Sequence, residues 1–267
     1  MRRRSAVRHY LAVGRQFVRI GVIRKSQFRL EFVTQVLMDC IWYLSYALTF
    51  EILFLHTEEI AGWSVDEIRV FLGFVFCADS FLMVWLGQAW HFGRELKDGK
   101  LDSARVRPIA PVFLYFFQRF SLEGAVNMAI ALAYLLFAVG RSPVGFTAAS
   151  GVMLVWGLAL AWWGRLVLTV LLACTEFYAL HGNLSNFGHE LLAAGSDRPL
   201  DIYGRRVRAF LLLALPLGVL AQVPASMVLG RIGWLAAAGY SAWLLLFGAG
   251  VLKLWQRGFR RYESAMS

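Results

Sequence analysis

Residues 30–55, 68–91, 111–139, 146–172 and 234–255 are predominantly apolar runs, each long enough to cross a bilayer. A crossing helix needs about 20 such residues at a rise of ~1.5 Å each. Hydrocarbon offers no water to backbone N–H and C=O groups, so runs of this kind must form helices or a closed barrel. A barrel requires strands that alternate apolar and polar residues at period two, and these runs do not alternate. The expected class is all-α and polytopic. Composition agrees: 16% of the 267 residues are charged and 59% hydrophobic, against roughly 25% charged in soluble domains. The net charge is +10. In so apolar a chain that excess reads as topology charge on the inner face, so no nucleic-acid partner is expected.

Residues 5–28 set Tyr10, Leu11, Val13, Phe17, Ile20 and Val22 among Arg8, Arg15, Arg19, Arg24 and Lys25. This is a basic amphipathic helix, expected to lie among inner-face headgroups. Such a helix puts the N-terminus in the cytoplasm; residues 1–29 hold nine bases and no acid, and no apolar core of a secretory signal is apparent in them. The loop HTEEIAGWSVDE has four acids and no Lys or Arg, so it is expected outside, with Trp63 as an interfacial anchor. The turn GRSPVG at 140–145 is expected outside as well.

Beyond residue 176 hydropathy is ambiguous. The segment FYALHGNLSNFGHELLAAGS (177–196) would make a poor span in direct lipid contact, and 209–229 is interrupted by Pro216 and Pro224. Either partition gives six spans with both termini inside. They differ on the side of DRPLDIYGRRVR (197–208), which has four Arg and two Asp; the charge rule alone puts it inside.

The longest clearly polar stretch inside the apolar chain is FGRELKDGKLDSARVRPIAP (92–111), with three acids, five bases, Gly99 at a turn, and Pro108 and Pro111. It is the candidate entry point for force or signal. Walker A, HExxH and GxSxG patterns are absent, so this chain is not expected to cradle nucleotide phosphates or catalyse by those routes. Cys40, Cys77 and Cys174 fall in predicted spans without zinc spacing and read as small packing residues. His181 and His189 are too far apart for a close metal pair, and no metal is expected. Trp85, Trp90, Trp156, Trp162 and Trp163 are more often anchors or packing than a cage, though an amphipathic cation would meet them first.

DGKLD followed by RP (98–102, 107–108), RPLDIY (198–203), ALP (214–216), QVPA (222–225) and the terminal WQRGFRRYESA (255–265) resemble, in that order, the small six-span permeases of type-2 ATP-binding-cassette (ABC) exporters. Departures are modest: Ser103–Val106 replaces a more apolar run, and Arg198 stands where an aromatic is usual. The resemblance implies a permease without its own nucleotide site. Its engine would be two copies of a separate ABC ATPase carrying ATP and Mg, and it would pair with a second copy or a sister permease in the cytoplasmic membrane. It implies that 177–196 is the fifth span and 197–232 an outer re-entrant segment. It also implies that Glu95, Lys97, Asp98, Gly99, Lys100, Leu101, Asp102 and Pro108, within the loop 92–110, form a coupling helix on the ATPase.

Asp39, Asp79, Arg119, Glu123 and Arg165 fall inside predicted spans, where ionisable groups are costly. Counting ~1.5 Å per residue puts the three acids about 14–18 Å deep and the arginines about 10 Å deep. Arg119 and Glu123 are four apart and could pair on one helix. The five are expected to form one inward-facing cluster, as an ion-pair lock or as part of a substrate path. An ion-coupled secondary transporter using Asp39, Asp79 or Glu123 is the alternative function, but the inverted repeats that would favour it are not visible. A membrane-embedded lipid-handling protein would need a convergent nucleophile and base.

Overall fold

The structure is a computed structural model that describes residues 2–26, 29–102, 107, 109–178, 188–190, 192 and 195–262. Among these residues there is no strand, only a single bridge between Ile60 and Trp63. The chain begins with α1 (Arg2–Ser26), α2 (Arg29–Phe54) and α3 (Val65–Phe81). α3 runs on without a break through a π turn (Leu82–Leu86), a 3-10 turn (Gly87–His91) and α4 (Phe92–Lys97). α5 (Pro111–Phe117), α6 (Leu122–Arg141) and α7 (Ala148–Glu176) follow. After these come two short helices, α8 (Arg205–Leu213) and α9 (Gln222–Val228), and a final long one, α10 (Trp234–Arg261).

Among the described residues, five helices are long and apolar enough to cross a membrane: Arg29–Phe54, Val65–Lys97, Leu122–Arg141, Ala148–Glu176 and Trp234–Arg261. The protein is a multi-pass, all-helical membrane protein. Of the sixth expected span, 177–196, residues 179–187, 191, 193 and 194 lie outside the described residues.

The third run differs from its expected form. It breaks at residues 118–121, and the long helix starts at Leu122, not Pro111. Ser121 is the reason. Its Oγ accepts from the Gly124 N–H at 2.9 Å, capping α6, while its own N–H donates to the Val84 carbonyl at 3.0 Å. The break is therefore tied to the π turn of the neighbouring rod. Pro111 fits the first position of α5, where no helical N–H is needed.

α3 is the central element, buried among α2, α6, α7 and α9. Small residues let backbones approach, the usual device where lipid removes a hydrophobic drive between helices. A Cβ at Gly73 would lie 2.9 Å from the Leu135 Cα, and one at Gly157 would meet Pro224 and Phe74. α9 is buried along its whole length. Pro224 is tolerated because it stands in the first turn of α9, whose N–H groups have no intrahelical acceptor. α2 is peripheral and leaves Leu37, Met38, Ile41, Leu44 and Ile52 on the surface, the face a bilayer would cover.

α1 and the end of α10 lie at one end of the bundle, here called basal: Tyr10 meets Phe113 of α5, and Trp255 near the end of α10 packs on Phe92 of α4. The 56–67 loop and the 197–204 segment lie at the opposite, distal end, joined by a hydrogen bond from Trp63 to Asp201.

Candidate functional site

At the basal tip, α4 ends where Gly99 takes φ +71°, a left-handed conformation that glycine adopts without strain. The turn folds Lys100 back so that its N–H donates to the Glu95 carbonyl at 3.0 Å. Arg94, Lys97, Asp98 and Lys100 face solvent. Glu95 does not: it is 6% exposed. Its Oε2 accepts a short hydrogen bond from Gln88 Nε2 and one from the Tyr115 hydroxyl at 2.9 Å. Arg119 and Lys100 lie 3.6 and 3.7 Å from Oε1. Gln88, Phe92 and Glu95 recur at helical spacing on the face that Phe92 buries, which corrects the expectation that Glu95 offers its charge to a partner. Leu101 also points inward, at 2% exposure. Asp102 is half-buried, and Pro108 lies outside the described residues.

Phe92 ties this tip to three other elements. Its ring centroid lies 5.0 Å from Tyr115 of α5, 5.4 Å from Phe177 just after α7 and 5.3 Å from Trp255 of α10. Gly93 allows a further close approach, since a Cβ there would sit 2.8 Å from the Glu176 carboxylate.

Beside the irregular part of the rod lies a cavity of about 560 Å³, lined by Arg24, Lys25, Glu31, Gln88, Arg119 and Glu123 among others. Lys25 Nζ pairs with Glu123 at 3.0 Å and Glu31 at 3.1 Å. Burial disfavours the Lys25 charge, but the hydrogen bonds and charges of Glu123 and Glu31 outweigh it and hold the ammonium above the usual lysine range. Glu123 is thus near the basal mouth, not deep, because α6 begins at Leu122. The expected Arg119–Glu123 pair does not form: the break at 118–121 takes them off a common helix, and Arg119 turns to Glu95.

The remaining charges form two further groups, so the five do not make one cluster. Arg165 of α7 pairs with Asp79 of α3 at 2.9 Å, and Arg165 is 5% exposed. Asp197 is electrostatically close: burial, and then the Asp79 carboxylate, push its carboxyl up to about 7. Asp39 accepts from Gln35 at 3.1 Å and from Asn127 of α6. His189 packs against Trp90 at 4.7 Å; His181 lies outside the described residues. Trp162 stacks on Phe81 and donates to the Cys77 carbonyl. Among the described residues, no three His, Cys, Asp or Glu side chains converge to hold a metal.

The distal end holds a network that composition did not reveal. Trp63 is 1% exposed, not an interfacial anchor. Its Nε1 donates to Asp201 Oδ2 at 2.8 Å, and Gln222 Nε2 donates to the same oxygen at 2.8 Å. Gln222 Oε1 in turn accepts from the Leu200 N–H. Arg208 pairs with Asp201 Oδ1 at 2.5 Å. Arg231 lies 4.2 Å over the Trp63 ring and pairs with Glu67, so the ring is enclosed. Asp201 of RPLDIY and Gln222 of QVPA therefore meet in one cap.

Residues 40–266 match the family described as ABC-2 family transporter protein. The chain belongs to the ABC-2 transporter family. It is a permease of an ABC-type transporter, and permeases of this family generally work with an ABC ATPase partner. The matched stretch takes in both the tip at 92–102 and the distal cap, and leaves α1 outside it. No curated protein and no solved structure matches the chain.

Proposed function

We propose that this permease is the membrane half of an exporter whose force enters at the basal tip. One observation carries the reading. The exposed Lys97, Asp98 and Lys100 form the end of a rod, Val65–Lys97, that is also the buried centre of the bundle. Glu95 and Phe92 clamp that end to α5, to the end of α7 and to α10.

A separately encoded ATPase, in two copies that hold ATP and Mg, would grip the tip. Closure of those subunits would displace α4, and the clamped helices would follow it. The π and 3-10 turns at 82–91 are where the rod departs from regular helix, a common mark of functional sites, and they give it a place to bend. Transport then follows a shift between two packings of the spans that the ATPase biases. The permease acts with a second copy or a sister permease in the cytoplasmic membrane, with the basal end cytoplasmic and the segment 197–232, buried over 216–229, dipping from outside. Asp79–Arg165 and Asp39–Asn127 serve as locks between spans.

The test is co-expression with a neighbouring-gene ABC ATPase, co-purification and reconstitution. The expected result is a stable complex whose ATP turnover depends on the permease, with that dependence lost in Lys97→Ala/Asp98→Ala/Lys100→Ala at unchanged permease level. No co-purifying ATPase, or turnover indifferent to the triple substitution, overturns the reading.

A further inference from the structure

α1 does not simply rest on the bundle. The Ala110 N–H donates to the Tyr10 hydroxyl at 3.1 Å, and the Tyr10 ring meets Phe113 edge-on at 5.0 Å. One and a half heptads on, Gly21 sits so close to the chain at Phe120 that a Cβ would lie 2.5 Å from its carbonyl oxygen. Between these two points of contact α1 and α5 leave a groove of about 580 Å³. Leu11, Gly14 and Val18 line one wall, and Trp85, Phe113 and Phe117 the other. Among the described residues its one charged lining residue is Arg15.

Helical geometry extends that charge into a strip. At ~100° per residue, Arg8, Arg15 and Arg19 fall within about 40° of one another around α1, directly beside Leu11 and Val18. All three are exposed, and none makes an ion pair among the described residues. The sequence of α1 contains no acid.

We propose that this groove holds one anionic phospholipid of the leaflet on which α1 lies, with an acyl chain along Trp85, Phe113 and Phe117 and the phosphate at Arg15. The two halves of the site demand two chemistries at once. The aromatic wall asks for hydrocarbon, and the arginine strip asks for a net negative group, which guanidinium binds through two parallel hydrogen bonds. A zwitterionic lipid brings the phosphate together with its own cation, which the arginine strip repels, and an acidic peptide brings no acyl chain. Because Trp85 belongs to the π turn, the bound lipid would link α1 to the part of the rod that is least regular. The site stands whether or not the exporter reading holds.

The experiment uses the full chain in detergent, titrated with dioleoyl-phosphatidylglycerol or dioleoyl-phosphatidylcholine and read by native mass spectrometry. The expected result is one tightly retained phosphatidylglycerol per chain, held at least about tenfold more tightly than phosphatidylcholine, about 1.4 kcal/mol. Gly14→Leu fills the groove: nothing lies within 4 Å of the added Cβ, so the side chain enters without moving backbone. It should lose that one lipid. Arg8→Gln/Arg15→Gln/Arg19→Gln changes exposed side chains only, and should bring phosphatidylglycerol down to the phosphatidylcholine level. Equal retention of the two lipids by the unsubstituted chain overturns the proposal. So does a tight phosphatidylglycerol that survives Gly14→Leu in a chain of unchanged melting temperature, detergent alone filling the groove, or displacement of the lipid by the ATPase subunit.

Discussion

At the distal end, Asp201 accepts hydrogen bonds from Trp63 and Gln222 and pairs with Arg208. At the basal end, Glu95 accepts from Gln88 and Tyr115 and lies within reach of Arg119 and Lys100. Each carboxylate holds two buried neutral donors, and the difference lies in the exposed cations around them. Around Asp201 the neutral donors are sealed, and Arg231 closes the Trp63 ring against Glu67. Around Glu95 the two cations are half in solvent, Arg119 at 50% and Lys100 at 57% side-chain exposure. At Asp201 one cation, Arg208, is 45% exposed, so a docking protein can compete for two partners at the tip and for one at the cap. The distal cap is sealed around the Trp63 ring; the basal tip adds exposed Arg94, Lys97 and Asp98 to the charge a partner can reach.

The largest expected effect lies between the two ends, where Arg165 and Asp79 pin α7 to α3. Arg165→Met leaves Asp79 buried without its cation and should cost about 3–5 kcal/mol. Asp79→Leu/Arg165→Met should recover most of that loss in thermal unfolding. Recovery of stability together with transport would establish the pair as a lock; recovery of stability without transport would place it on the substrate path.

Next comes the cap itself. Asp201→Leu strands the Trp63 and Gln222 donors, each worth about 1–3 kcal/mol when buried and unpaired, and should lower stability by about 3 kcal/mol in total. A loss no larger than that of an exposed aspartate would mean the cap is not rigid, and the contrast with the tip would go.

The two ends were unequally legible in the sequence. Apolar run lengths were enough to place five long helices, since length and hydropathy are local. The cap was hidden because Trp63 and Asp201 are 138 residues apart, and an aromatic beside an acidic loop looks like an interfacial anchor. Glu95 was readable in principle: Gln88, Phe92 and Glu95 share a helical face, and a buried Phe92 turns Glu95 inward with it. The break at 118–121 was readable too. Ser121 followed by Leu122 and Glu123 is a helix-start pattern, but it sits in a run apolar enough to pass for continuous span. Arg119 and Glu123 were mispaired for that reason alone.

Gly124 tests whether the π turn yields. A Cβ there would lie 2.7 Å from the Val84 nitrogen and 2.8 Å from the Met83 carbonyl carbon. Overpacking against backbone costs about 1–3 kcal/mol, so Gly124→Ala should lower stability by about 2 kcal/mol if the rod is stiff at that point. A loss well under 1 kcal/mol would show that the irregular stretch moves aside, which sharpens the contrast with the cap. Smaller still is Glu95→Gln. The neutral amide oxygen can still accept from Tyr115, and only partly exposed ion pairs are lost, so about 1 kcal/mol is expected. The consequence for ATP turnover should be larger than that figure implies.

The smallest effect on stability should come from Lys97→Ala/Asp98→Ala. Both side chains are exposed, and exposed ion pairs contribute about 0–1 kcal/mol, so the melting temperature should stay within error of the unsubstituted chain. The same substitution removes charge of both signs from the turn that Gly99 holds outward, while Glu95, Leu101 and Phe92 keep the clamp beneath it intact. Affinity for the ATPase should therefore fall with no change in the permease fold, measured as a weaker complex by titration in detergent. Unchanged affinity would move the docking surface off this turn, onto α1 or Arg94. A lowered melting temperature would mean the tip is part of the fold after all, and the difference between the two ends of the molecule would be one of degree.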